Sequence, residues 1–212
     1  MKIFIDFDDT LFDSNKFKRY FENIFIEEGI SRGNLRKSYD QVKEKGVYSL
    51  ENHLRLLRLN FGINEKIIKE KLKVLFSDLS NCVYSDSWKI LGRFPKKDLI
   101  ILSFGQHSFQ RKKIIGSKVT PKVFRVIITQ KRKIETIHEF MKKCGYSREK
   151  IVLIDNRAEF LEKIEKADHK VLTIQMVRNK SEKIARHADY RVKNFGEVIK
   201  ILKKEEKKSS GK

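Results

Sequence analysis

The chain has 212 residues, 40% hydrophobic and 36% charged, with 48 Lys and Arg against 28 Asp and Glu for a net charge of +20. That length is ample for a buried core and fits one domain with an insertion, or two small domains. The apolar start is broken by Asp6 after a few residues, no run approaches the length of a membrane span, and Cys82 and Cys144 are too few and too far apart for a disulfide framework. A soluble, cytoplasmic monomer with reduced thiols and no membrane association is therefore expected.

The opening segment MKIFIDFDDTLFDS predicts a short buried strand over residues 2–7, with Asp6 and Asp8 at its C-terminal end. Strand residues two apart point the same way, so both acids face one ligand if the strand continues. Two like charges that close are costly unless a cation or a shared proton relieves them, and Mg²⁺ prefers such hard oxygen ligands. The same residues also suit an acidic turn of Asp6, Asp8, Asp9 and Asp13, with Thr10 or Asp13 capping the next helix.

From Asn15 to about Tyr84 the rhythm is helical. KFKRYFENIFIEEG, NLRKSYDQVKEKG, SLENHLRLLRLNFG and NEKIIKEKLKVLFSDL space apolar residues by three to four, with Gly29, Gly46 and Gly62 at or near helix ends. Phe12, Phe17, Tyr20, Phe21 and Phe25 recur at helical spacing and are expected in the core of this block. From Asp98 the rhythm becomes strand then helix: LIILS and SFQRKKI, VFRVIIT and KIETIHEFMKKCG, IVLID and AEFLEKIEKA, KVLTIQ, and a last helix in FGEVIKILKK. Short apolar runs alternating with amphipathic helices predict an α/β fold, a doubly wound parallel sheet with an α-helical block inserted after its first strand. The predicted division is a core of residues 1–14 and 88–204, a helical insert of 15–87 and a charged tail, 205–212, expected to fray.

Ligands of an open parallel sheet bind beyond the carboxyl ends of its strands. Those ends carry Asp6 and Asp8, then Ser103, then Thr129 with Lys131 and Lys133, then Asp155 and Asn156. A hydroxyl, a cation and carboxylates on one edge suit phosphoryl transfer. Each has a plainer reading: Ser103 as a strand end, either lysine as surface charge, Asn156 as a helix cap.

These residues resemble the four motifs of the haloacid dehalogenase-like (HAD) phosphohydrolase superfamily, in order DFDDT at 6–10, LS at 102–103, Lys133 leading a helix, and IDNRAE at 154–159. The resemblance implies that core, with the helical insert as its cap, and a Mg²⁺-dependent phosphatase working through an aspartyl-phosphate. Asp6 would be the nucleophile and Asp8 the general acid and base. Ser103 and the backbone at Phe104 would bind phosphoryl oxygens, Lys133 would supply fixed positive charge, and Thr10 would brace the loop. Mg²⁺ would be held by the Asp6 carboxylate, the Asp8 carbonyl and Asp155. Lys131 competes for the lysine position. Glu159 stands where many relatives have an aspartate, which leaves it either near the metal or in the first turn of a helix, favoured by the dipole.

The substrate class expected is a small phosphorylated molecule. Of the net +20, residues 101–212 hold +16, from 29 basic and 13 acidic side chains, and Arg111 to Lys133 contains nine Lys or Arg and no acid. That segment is the one argument for nucleotide or nucleic-acid ends as substrate, against a plain solvated surface. A catalytically silent phosphate binder on the same scaffold is the other alternative. Phe12, Arg19, Tyr48, His53 and Arg55 are candidates to face the cleft, and His107 to line it.

Overall fold

The structure is a computed structural model and describes residues 1–44, 46–168, 170–179 and 181–210; His169 and the end of the tail lie outside them. Six strands form one sheet in the order β3-β2-β1-β4-β5-β6: β1 (Lys2–Ile5), β2 (Leu99–Phe104), β3 (Arg125–Thr129), β4 (Ile151–Asp155), β5 (Val171–Met176) and β6 (Tyr190–Val192). Every neighbouring pair is parallel.

Apart from Lys2, Ser103 and Asp155 at or near their ends, the central strands are apolar because both faces are covered. Ile3, Ile5, Leu99, Ile101, Val152 and Ile154 pack on one side. Phe4, Ile100, Leu102 and Leu153 pack on the other. The first face meets α5 (Ser87–Arg93), α6 (His107–Gly116) and α9 (Phe195–Ser210), through Ile90, Ile114, Val198 and Leu202. The second meets α7 (Lys133–Lys143) and α8 (Ala158–Ala167), through Ile137, Met141 and Leu161. α9 carries on through the charged segment to Ser210, and Glu205 is buried there, accepting from Lys150 Nζ at 2.5 Å.

Between β1 and β2 the chain forms the inserted helical cap: α1 (Ser14–Glu27), α2 (Arg32–Glu44), α3 (Leu50–Phe61) and α4 (Glu65–Ser77). Asp13 caps α1, accepting from Lys16 N at 2.8 Å, as one of the two capping residues proposed from the sequence. Gly62 ends α3 at φ +64°, a left-handed conformation that glycine adopts without steric cost. Phe17, Phe21 and Phe25 are buried as expected, whereas Tyr20 is 38% exposed, because its position on α1 turns away from the other helices. His53 also departs from expectation. It does not face a cleft but is buried inside the cap, with Ser38 Oγ 2.8 Å from Nε2 and Tyr48 Oη 3.0 Å from Nδ1, and burial lowers its pKa to about 4.

Cap and core share one hydrophobic cluster. Phe12 meets Phe17 of α1, and Phe109 of α6 meets Phe17, Phe21, Tyr48 and Phe76, with ring centroids 5.0–6.1 Å apart. α6 and α4 approach closely at Gly116, where a Cβ would collide with the Phe76 carbonyl oxygen. Gly116→Ala is expected to destabilise the protein by about 1–3 kcal/mol, as overpacking against backbone does, read as a lower midpoint in thermal denaturation. An unchanged midpoint would show that the two helices separate freely.

Candidate active site

β1 lies at the centre of the sheet, with β2 and then β3 to one side and β4 to the other, so the connections change direction beside it. Asp6 follows β1 and Asp155 ends β4, and Asp6 N donates to Ile154 O at 2.8 Å. The register pairs Ile5 with Ile101 and Ile5 with Ile154, which brings the ends of three strands level. Lys133, at the start of α7, inserts its ammonium between the two carboxylates. It donates to Asp6 Oδ1 and, at 2.6 Å, to Asp155 Oδ2. All three side chains are buried. Asp155 Oδ1 also accepts from Arg157 N at 2.9 Å.

Two anions and one cation share this dry site. Burial pushes the Asp6 carboxyl up, and the nearby Asp155 adds to that while Lys133 opposes it; the outcome is a pKa of about 7. Burial also works against the charge on Lys133, but Asp155 and Asp6 together outweigh it and raise its pKa. Lys131 pairs with a different carboxylate, being two-thirds exposed and 3.3 Å from Glu139. The geometry thus separates the two lysines that compete in the sequence.

Asp8 lies past the end of the ladder: β1 ends at Ile5 and the chain turns through Asp9 at φ +56°. Its charge is still near enough to help raise the Asp6 pKa. The Asp8 carboxylate is held by α6 and by the start of α1. Oδ1 accepts from Lys113 Nζ and from Ser14 Oγ at 3.0 Å, and Oδ2 accepts from Gln110 Nε2 at 2.7 Å. Burial disfavours its charge, yet the Lys113 ammonium, with Gln110 and Ser14, holds its pKa below the usual carboxylate range. Lys113 is itself buried, its ammonium 5.4–5.7 Å from the ring centres of Phe7, Phe12, Phe17 and Phe109.

Ser103 is buried at the end of β2, and its Oγ has no hydrogen-bond partner. Such a hydroxyl costs about 1–3 kcal/mol until something satisfies it. Thr10 Oγ1 lies 3.4 Å from Asp6 Oδ2, a long contact, and its carbonyl accepts from Arg178 Nη2 at 2.9 Å, so the loop is braced from both sides. The Phe104 carbonyl accepts from Gln110 Nε2 at 3.1 Å, which ties motif loop to α6. Glu159 is engaged by Arg157, at 2.9 Å from Nε, and sits in the first turn of α8. Among the described residues no group of three or more His, Cys, Asp and Glu side chains gathers in a metal-binding arrangement. The available donors are the Asp6 and Asp155 carboxylates and main-chain carbonyls. That set suits Mg²⁺, which uses one or two carboxylates and completes its shell with substrate oxygens and water.

Sequence reasoning missed Lys113, Gln110 and Arg178. The first two were legible in principle: within the basic run, Gln110, Lys113 and Ile114 fall on the buried face of α6, where a lysine needs a partner. Arg178 had no such signal, since it lies in a loop and meets Asp86 (2.9 Å) and Thr10 only through tertiary contact.

The sequence matches no protein-family model and no curated protein. By structure, a haloacid dehalogenase-like hydrolase of Burkholderia xenovorans aligns at TM-score 0.73 and 21% identity, over 93% of this chain and 94% of that one. The HAD hydrolase YfnB of Bacillus subtilis, solved bound to magnesium, aligns at 0.65 and 15%, over 95% and 97%. An L-2-haloacid dehalogenase of Xanthobacter autotrophicus aligns at 0.64 and 14%, over 95% and 98%. The chain therefore has the haloacid dehalogenase-like fold, cap included, and no helix in the described residues is long and apolar enough to cross a membrane. Fold alone does not choose between dehalogenation and phosphoryl transfer.

Two predictions follow from the electrostatics. Between the ordinary carboxyl pKa of 3.8 and about 7, folded Asp6 holds a proton that the unfolded chain has released. Its contribution to stability is therefore present at low pH and is lost as pH rises through that window. Metal-free wild type is expected to lose more stability between pH 5 and pH 8 than Asp6→Asn, as read by thermal denaturation; parallel curves would contradict the raised pKa. Lys113→Met leaves Asp8 unpaired and is expected to cost about 2 kcal/mol at neutral pH, less than a fully buried pair because Asp8 is 28% exposed. A denaturant midpoint equal to wild type would show that the pair contributes nothing.

Proposed function

We propose that this protein is a Mg²⁺-dependent phosphatase that hydrolyses a phosphomonoester of a small molecule through an aspartyl-phosphate on Asp6. The observation that carries the reading is the buried constellation of Asp6, Lys133 and Asp155 beside the unpartnered hydroxyl of Ser103. It offers a nucleophile, fixed positive charge and an unused donor where a phosphoryl group meets the sheet edge. The presence of Asp8 favours phosphoryl transfer over dehalogenation. An alkoxide leaving group needs a proton, whereas a halide does not.

Asp6 attacks phosphorus, and the bond to the leaving oxygen breaks as the aspartyl-phosphate forms. Asp8, once rotated away from Lys113 and protonated from solvent, delivers that proton to the leaving oxygen. It then takes a proton from water, which attacks the same phosphorus and releases inorganic phosphate and free Asp6. Ser103 Oγ and the backbone at Phe104 hold the phosphoryl oxygens, and Lys133 balances charge that develops there. Asp6, Asp155 and the Asp8 carbonyl would hold Mg²⁺, which when bound offsets the repulsion between an anionic nucleophile and an anionic substrate. The helical cap, joined to the core through Phe12, Phe17 and Phe109, would limit water access and select the substrate.

The test is phosphate release from a panel of sugar phosphates, nucleotides and end-phosphorylated oligonucleotides, with and without Mg²⁺. Turnover is expected to require the metal and to fall at least about 10³-fold in Asp6→Asn, as loss of a covalent nucleophile does. Undiminished turnover in that variant, or no release from any member by folded protein, would overturn the proposal.

A further inference from the structure

A groove of about 220 Å³ opens beside Lys133 on the α7 and α8 side of the sheet, away from the cap. Lys131, Arg132 and Lys163 line it together with Lys133, and its apolar walls include Phe104 and Phe160, whose ring centroids are 5.4 Å apart. No lining side chain among the described residues is a carboxylate. The groove adjoins the candidate active site, because the buried Lys133 ammonium that bridges Asp6 and Asp155 lies 4.8 Å from the Phe160 ring centre. Arg157 covers Phe160 as well, 4.4 Å from its ring centre.

This concentration of positive charge exceeds what one phosphoryl group needs. Lys133 is consumed by the buried carboxylates, but Lys131, Arg132 and Lys163 are exposed. Arg132 and Lys131 meet only Glu135 at 3.7 Å and Glu139 at 3.3 Å, on the solvent side. Exposed pairs of this kind contribute roughly 0–1 kcal/mol, so a phosphate in the groove can draw both cations inward. The half-buried Phe104 and Phe160 offer an apolar wall for the carbon skeleton between two phosphates.

We propose that this groove is a subsite for a second phosphate of the substrate, so that the molecule hydrolysed at Asp6 carries two phosphate groups. The proposal rests on the phosphatase reading only in placing the first phosphate at Ser103 and Lys133. The second phosphate has two chemical sources: a free bisphosphate, or the phosphodiester next to the end of a nucleic-acid strand.

Binding is measured by calorimetry in an Asp6→Asn background, which removes turnover, with fructose 6-phosphate, fructose 1,6-bisphosphate, adenosine 5′-monophosphate, adenosine 3′,5′-bisphosphate and a 5′-phosphorylated single-stranded oligonucleotide. Hydrolysis of p-nitrophenyl phosphate by wild type, read separately, reports on the phosphatase reading alone. A probe with two phosphates is expected to bind at least about tenfold more tightly than its monophosphate counterpart, as an added charge-assisted contact gives. Lys163→Gln and Arg132→Gln, both at exposed positions that do not endanger folding, are each expected to erase most of that preference. Tighter binding of the oligonucleotide with steep salt dependence assigns the second phosphate to a strand; tighter binding of a free bisphosphate assigns it to a metabolite. Equal affinity for one and two phosphates, or a preference that survives both substitutions, would overturn the proposal.

Discussion

The arrangement depends on one buried cation between two buried anions. Lys133 joins the ends of β1 and β4 to the start of α7, and it does so in a space from which water is largely excluded. Such a group is a poor source of stability, because taking charges out of water costs about as much as their attraction returns. The covered parallel sheet around it must carry that burden, with β1, β2 and β4 apolar on both faces. The imbalance of charge shows in Asp6, whose raised pKa marks a carboxylate that favours an added cation or a proton.

A second pairing connects the site to the cap. Asp8 is held by Lys113 and Gln110 of α6, and Lys113 in turn lies among Phe12, Phe17 and Phe109. Phe17 belongs to the cap and Phe109 to the core, so any shift of α1 against α6 alters the surroundings of the ammonium that fixes Asp8. The orientation of the proposed proton carrier and the seating of the cap are thereby one packing problem.

The structural neighbours define the fold and leave chemistry to the side chains. Their identities of 14–21% are too low to carry activity across, and they include a dehalogenase. The choice of phosphoryl transfer comes from Asp6, Asp8, Ser103, Lys133 and Asp155 as they stand in this chain. The choice of a doubly phosphorylated substrate comes from Lys131, Arg132 and Lys163, exposed cations outside those motifs in the groove beside Lys133.

Periodicity by itself determined most of the architecture. Runs such as LIIL and IVLI, short and alternating with amphipathic segments, suit strands buried on both faces, and the three-to-four spacing of the inserted block suits helices that bury one face. Asp155 was legible because a charge at the end of an apolar strand needs a partner, and Lys133 because it opens a helix as the motif lysine of the resembled family does. Tertiary structure alone decided the rest. The ladder ends at Ile5, and what fixes the Asp8 carboxylate is Lys113, Gln110 and Ser14, which strand alternation could not show. His53 gave no sign of its burial, since its partner Ser38 lies on α2 and Tyr48 folds back from the loop before α3. Lys113 was hidden in a basic run whose other exposed members are solvated, because what separates it from them is the face of α6 and a carboxylate 105 residues away in the chain. Sequence records which side chains are costly to bury; only the folded chain shows which partner removes the cost.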